Sequence, residues 1–262
     1  VTASSRDPEL RRRSNSVAAQ EDDARGFRPG PSHVAVAIAT IITVVVLAAL
    51  VVPKLTGSGD SSTPYDTDVY EVRSGDTISS VAALHAITND ALQQANGLTS
   101  TSSLDPGSPL TIPLPPASGS YPAGLEGDDD LLALRSTFEE WADEYDVPVV
   151  LLEADLWQES AWDNDAVSTD GAVGIGQLLP STTSYINETL LDGADLDPTD
   201  PSDNIQLSAA YFQYLLEGSD GSWAEALASY FAGPTSAQNS AWDSATVAYV
   251  TKGMGYLADF QD

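Results

Sequence analysis

The sequence predicts a multidomain α+β protein with a single N-terminal transmembrane helix, a small βααβ module and an all-α domain. Three observations predict it. Residues 34–52 are a run of nineteen residues without a charge. Residues 70–113 place two strand-like segments around two short helical ones. From residue 130 onward, apolar residues recur at offsets of three and four, the spacing of a buried helix face.

In chain order, residues 1–33 combine Arg, Ser, Pro, Gly and Asp with few apolar groups, the composition of a disordered tail. The apolar run 34–52 would rise roughly 28 Å as a helix, about one hydrocarbon core. Arginines precede it (Arg6, Arg11, Arg12, Arg13, Arg25 and Arg28), so the N-terminus is expected in the cytoplasm and everything after Lys54 outside. A cleaved signal peptide has a short basic start, an apolar region of about 7–15 residues and a small-x-small exit. The long tail here and the exit LVVPKL favour a retained anchor. Residues 53–69 read as a polar Gly/Ser/Pro spacer.

The module 70–113 opens on a short strand, YEV. SGDT supplies a turn and a cap, and Ile78, Val81, Ala82 and His85 follow at helical spacing. A second short helix carries Ala91, Leu92 and Ala95 and ends at Asn96-Gly97. LDPGSPLTIP then closes with a turn and a strand. Residues 114–129 read as a second Pro/Gly/Ser linker ending in acids suited to cap a helix. Beyond it the periodicity predicts helices over 130–145, from Pro148 through the segment VPVVLLEADLWQESAW, and near 181–191, 203–217, 222–232 and 240–260.

Charge and composition exclude several functions. The net charge is -29, and residues 55–262 carry 34 acids against Arg73, Arg135 and Lys252. A surface of that sign repels phosphate backbones, so no nucleic-acid partner is expected. With no cysteine, disulfides, thiolate chemistry, cysteine-ligated zinc and a lipid-modified cysteine anchor are all excluded. His33 and His85 lie in different regions, so neither a histidine triad nor a metal site is expected, and no cofactor is called for.

Chemistry concentrates between Leu152 and Thr182. Glu159 falls in line with Leu152 and Leu156 on one helix face. An acid held among Leu and Trp side chains resists ionisation, which moves its pKa toward the range useful for donating a proton near neutral pH. A glycine-punctuated turn with Gly171, Gly174 and Gly176 follows, and then Gln177. Asp163, Asp165 and Asp170 are possible second carboxylates.

Two family resemblances attach to these residues. Tyr70, Val72, Gly75, Asp76, Thr77, Ile78, Asn96, Leu98, Gly107, Leu110 and Ile112 fall in register with the LysM module. That resemblance implies binding of N-acetylglucosamine-containing glycans in a shallow groove between Gly75, Asp76, Thr77 and Ile78 on one side and Asn96, Gly97 and Leu98 on the other. Further along, E-S at 159–160, A-V-S at 166–168, G-A-V-G-I-G-Q at 171–177 and A-L-A-S-Y-F-A-G-P at 226–234 resemble the signature of family 1 soluble-type (SLT) lytic transglycosylases. This implies a lysozyme-like fold over 130–262, Glu159 as the catalytic acid, and Ser160, Gln177, Tyr230 and Tyr249 lining the substrate site.

By the same resemblance the reaction cuts the MurNAc to GlcNAc β-1,4 bond of peptidoglycan, with one Glu as acid and then base, and leaves a 1,6-anhydro end. The expected partners are peptidoglycan glycan strands and, through one helix, the membrane. Phe231 stands where the family usually has Asn, which keeps open a catalytically impaired wall-tethering protein. A second carboxylate holding a water keeps open a lysozyme-like hydrolase.

Overall fold

Two separate buried cores organise residues 67–238 and 242–261, the part of the chain described by the computed structural model. The expected tail at 1–33 and membrane helix at 34–52 lie outside the described residues. Among those described, no helix is long and apolar enough to cross a membrane.

The smaller core is the expected βααβ module. Strand β1 (Asp68–Glu71) pairs antiparallel with β2 (Pro109–Ile112), setting Tyr70 opposite Leu110. Helices α1 (Ile78–Leu84) and α2 (Asn89–Asn96) bury Ile78, Val81, Ala82 and Leu92 against the inner faces of the strands. Capping explains the boundaries. Thr77 and Ser80 exchange side-chain to backbone hydrogen bonds at the start of α1, and Gly97 ends α2 with φ +63°. The expected spacer ends earlier than read, because Asp68 and Val69 belong to β1. His85 is fully buried. Its Nδ1 lies 2.9 Å from Asp68 Oδ2, and its ring meets Tyr70 edge-on.

The larger core is all-α, as predicted. It comprises α3 (Asp129–Leu132), α4 (Arg135–Glu144), α5 (Val149–Ser160), α6 (Pro180–Tyr185), α7 (Pro201–Gly218), α8 (Trp223–Ala232), α9 (Pro234–Ala237) and α10 (Ser244–Phe260). The helix expected over 130–145 is broken at Ala133 and Leu134, where the Leu134 N–H bonds three residues back to Leu131 instead of four. The helix expected near 181–191 widens after α6 into a π turn, Ile186–Leu190. Helix α5 is central. Residues Leu151 to Gln158 are all buried, including Glu153 and Asp155, so α5 has no solvent face along most of its length. Glu153 is matched by Arg135, whose Nε donates to its carboxylate at 2.9 Å.

The stretch read as a second linker is a packed strap. Leu125 is fully buried in the helical core, the Ser118 N–H donates to the Ala258 carbonyl, and the Tyr121 hydroxyl accepts from Arg135. The βααβ module also docks on the helical domain. Asp68 Oδ1 accepts from the Trp223 N–H at the start of α8, where the helix dipole favours an anion. Arg73 pairs with Glu225 at 2.9 Å and lies 3.8 Å over the Trp242 ring, while Leu84 packs against both cores.

Candidate active site

The last turn of α5 opens onto a cleft of about 590 Å3, whose wall includes Glu159, Ser160, Gln177, Tyr230, Phe231 and Lys252. Glu159 reaches it because α5 ends there. The chain turns away at Ala161 and Trp162, both in the left-handed region, and Trp162 is buried beneath against Phe138 and Phe260. Half-buried, Glu159 accepts the Tyr249 hydroxyl at 2.6 Å from α10, which packs closely along α5.

Tyr249 is held on three sides. Its ring stacks on Phe231, with centroids 4.5 Å apart, and its carbonyl accepts from Gln158 Nε2. Its hydroxyl lies 2.7 Å from Asp155 Oδ1 as well as 2.6 Å from Glu159 Oε1. Phe231, which stands where an amide was expected, is thus the surface against which the tyrosine ring rests. Burial first, and then the neighbouring Asp155 and Glu159 charges, push the Tyr249 hydroxyl well above its usual range. Asp155 is fully buried, and desolvation, followed by the charge of Glu159, pushes its carboxyl well above the usual carboxylate range, with the Tyr249 hydroxyl partly opposing.

The other expected site residues brace the wall of the cleft. Ser160 Oγ donates to the Ile175 carbonyl at 2.7 Å, tying the end of α5 to the glycine turn. Gln177, at φ +47°, donates its amide to the Ala166 and Gly174 carbonyls, so its carbonyl oxygen is what it still offers a ligand. The Tyr230 hydroxyl donates to the Gly176 carbonyl at 2.7 Å, and its ring stacks on Phe212.

The glycines at 174 and 176 owe their identity less to the open cleft than to the side chains behind it. A Cβ at Gly176 would collide with Ser208 and the Tyr230 hydroxyl, and one at Gly174 with Asn204. Asn204 is fully buried and clamps the turn. Its Oδ1 accepts the Gly176 N–H at 2.7 Å, and its Nδ2 donates to the Val173 and Pro198 carbonyls.

Sequence reasoning did not single out Asp155 or the clamp role of Asn204. The offset of four between Asp155 and Glu159 was a readable signal for the first, since it puts both on one helix face. Of the aspartates proposed as second carboxylates, Asp170 borders the cleft. Asp163 and Asp165 line a separate depression shared with Leu131 and Trp162.

In the βααβ module, several residues expected to hold glycan also hold the fold. Asp76 accepts from the Tyr70 hydroxyl and the Arg73 N–H. Thr77 caps α1, and the Asn96 amide bonds both the N–H and the carbonyl of Thr111. Gly75 and Gly97 supply positive-φ turns, and Leu98 packs on the module's core.

Comparison with known proteins gives these units their family. The family model described as Transglycosylase SLT domain matches residues 136–248, and that of the LysM domain matches residues 70–113. The chain joins a LysM domain to a transglycosylase SLT domain. The chain is similar to membrane-bound lytic murein transglycosylase F of Maricaulis maris, 41% identical over 106 residues, which cover 38% of this chain and 22% of that protein. It is also similar to membrane-bound lytic murein transglycosylase F 1 of Alkalilimnicola ehrlichii, 43% identical over 89 residues, covering 34% of this chain and 17% of that protein. The match therefore spans about a fifth of the length of these curated relatives. Among solved structures, the 70 kDa soluble lytic transglycosylase of Escherichia coli aligns at TM-score 0.46 and 25% identity, covering 48% of this chain and 24% of that one. The SLT domain thus contributes the cleft with Glu159, and the LysM domain docks on its α8 and α10 side.

Proposed function

We propose that this chain is a membrane-anchored peptidoglycan lytic transglycosylase that cuts the MurNAc to GlcNAc β-1,4 bond and leaves 1,6-anhydro-muramyl ends. The observation that carries the reading is Glu159, half-buried on the cleft wall of an SLT domain and hydrogen-bonded by Tyr249. A glycosidic oxygen leaves readily only if it is protonated as the bond breaks, and Glu159 is the group on the cleft wall to which that role is assigned. The same carboxylate then takes the proton of the muramyl C6 hydroxyl, and that oxygen closes onto C1. No water is consumed. Ser160, Gln177, Tyr230 and Tyr249 shape the sugar site, Gln177 through its carbonyl oxygen.

The LysM domain holds the same polymer through Gly75, Asp76, Thr77, Ile78, Asn96, Gly97 and Leu98. Holding an immobile glycan raises the local substrate concentration without any new catalytic contact. Residues 34–52 serve as the anchor, with 1–33 in the cytoplasm and the LysM (70–113) and SLT (130–262) domains on the cell-wall side. The apolar run, the arginines before it and the membrane-bound designation of the two relatives support this.

Digestion of purified sacculi with the wild type and with Glu159→Gln tests the reading. The wild type is expected to release muropeptides one water lighter than reducing-end products. Glu159→Gln is expected to lower release by about 10²–10⁴-fold, the usual contribution of a positioned acid. Equal, negligible release by both proteins would leave a wall-tethering protein, and products with reducing ends would make it a hydrolase.

A further inference from the structure

We propose that Asp155 is a positioning residue of the acid site, which stores a proton and passes it through the Tyr249 hydroxyl to Glu159. The inference rests on the reading of Glu159 as the reaction's acid. The Tyr249 oxygen lies 2.7 Å from Asp155 Oδ1 and 2.6 Å from Glu159 Oε1, both normal lengths for an O–H···O hydrogen bond. A phenol has one proton and can donate to only one of them. The other contact is a hydrogen bond only when the carboxyl itself donates, so one of the two carboxyls is protonated in this arrangement.

The surroundings decide which. Asp155 is fully buried, and its Oδ2 has no hydrogen-bond partner among the described residues, so a charge there would be poorly stabilised. Glu159 is half-buried and borders the cleft, where water reaches it. In the resting site the Asp155 carboxyl donates to the Tyr249 oxygen, and the Tyr249 hydroxyl donates to the Glu159 carboxylate.

Transfer is a concerted double shift. The Asp155 O–H bond breaks as its proton joins the Tyr249 oxygen, and the Tyr249 proton joins Glu159. One negative charge moves from Glu159 to Asp155, and no other reactant is needed. A glycan filling the cleft removes water from Glu159 and so weakens its preference for the charged state. Proton delivery is thereby linked to an occupied cleft.

The groups facing this pair come from each neighbouring helix. Tyr249 comes from α10. Tyr230 comes from α8, its hydroxyl pushed upward first by burial and then by the Asp155 and Glu159 charges. Helix α7 adds Ser208, 3.5 Å from the Tyr230 oxygen, and Tyr211, packed on the Tyr230 ring. On α4, Arg135 bonds Glu153, and Lys252 of α10 stands on the cleft wall.

The test combines a pH profile with a readout that needs no turnover. With the full chain on sacculi, Asp155→Asn keeps the shape but cannot release a proton, so Glu159 must then hold its own. The alkaline limb of kcat/KM is expected to move to lower pH by about one unit, so activity on that limb falls about tenfold while the acidic side changes little. Tyr249→Phe should move the limb the same way, and the double variant should move it no further. Infrared spectroscopy of the wild type at neutral pH should show the carbonyl stretch of a protonated carboxyl, which Asp155→Asn abolishes.

A uniform loss of rate at every pH, an unmoved limb, or the absence of that band from the wild type would overturn the inference. If the band is present but the wild type cuts no sacculi, the stored proton stands and the enzymatic reading fails. Should Asp155→Asn not fold, the wild-type band and the Tyr249→Phe profile still decide the matter.

Discussion

Asp155 and Glu159 stand one helical turn apart on α5, yet their environments separate their roles. Asp155 is enclosed on every side, while Glu159 borders the cleft. The raised Asp155 carboxyl has a consequence for stability as well as for chemistry. The folded protein keeps this proton to higher pH than the unfolded chain does. Its contribution is therefore fully present below the ordinary carboxylate range and is lost as pH rises through the raised value. Thermal melts from pH 4 to pH 9 should show the wild type losing stability over that interval. Asp155→Asn should flatten that part of the decline and melt above the wild type at the alkaline end. Phe231 acts at this scale too. Because it stacks on Tyr249, its departure from the amide expected at this position supports the tyrosine rather than pointing by itself to a lost activity.

At the scale of elements, the cleft depends on how the glycine turn is pinned to the helices behind it. Asn204 on α7 bonds the turn at Gly176 and Val173, and Tyr230 on α8 bonds it again at Gly176, so two helices fix one loop from behind. Asn204→Ala would leave the buried Gly176 N–H without this acceptor, at a cost of roughly 1–3 kcal/mol for an orphaned buried group. Urea denaturation should show that loss. Gly176→Ala should be destabilising as well, because its methyl would meet the Ser208 and Tyr230 hydroxyls, both already held by hydrogen bonds to backbone carbonyls. Both changes should also lower turnover on sacculi, since the same turn carries Gln177 to the cleft.

At the scale of the molecule, the two domains are joined by buried and part-buried polar contacts. Asp68 faces His85 within the LysM domain and accepts the Trp223 N–H of the SLT domain, so one buried carboxylate serves both units. Arg73 adds a second link through Glu225 and Trp242. Asp68→Ala removes the acceptor of a buried helix N–H, costing about 1–3 kcal/mol, and should loosen the docking. Hydrogen exchange should then show faster exchange at the start of α8. A melt that separates into two transitions would show that each domain retains its own core.

The sequence alone determined most of the order of elements and the place of Glu159 on its helix. Periodicity placed the helices, and capping signals such as Thr77 and Gly97 were local enough to read. Glu159, Gln177 and the glycine turn were legible because their spacing along the chain is itself the motif. The sequence did not reveal what lies behind the acid. Asp155 looked like one more acid in an acidic chain, and the strap at 114–129 looked like a linker, because composition reports solubility and not burial. Only packing decided these. Whether a carboxyl is charged depends on the water and dipoles around it, and those come from helices up to 94 residues away, as in the bond from Tyr249 to Asp155. The desolvation that gives Asp155 its proton exists only once α5 is enclosed.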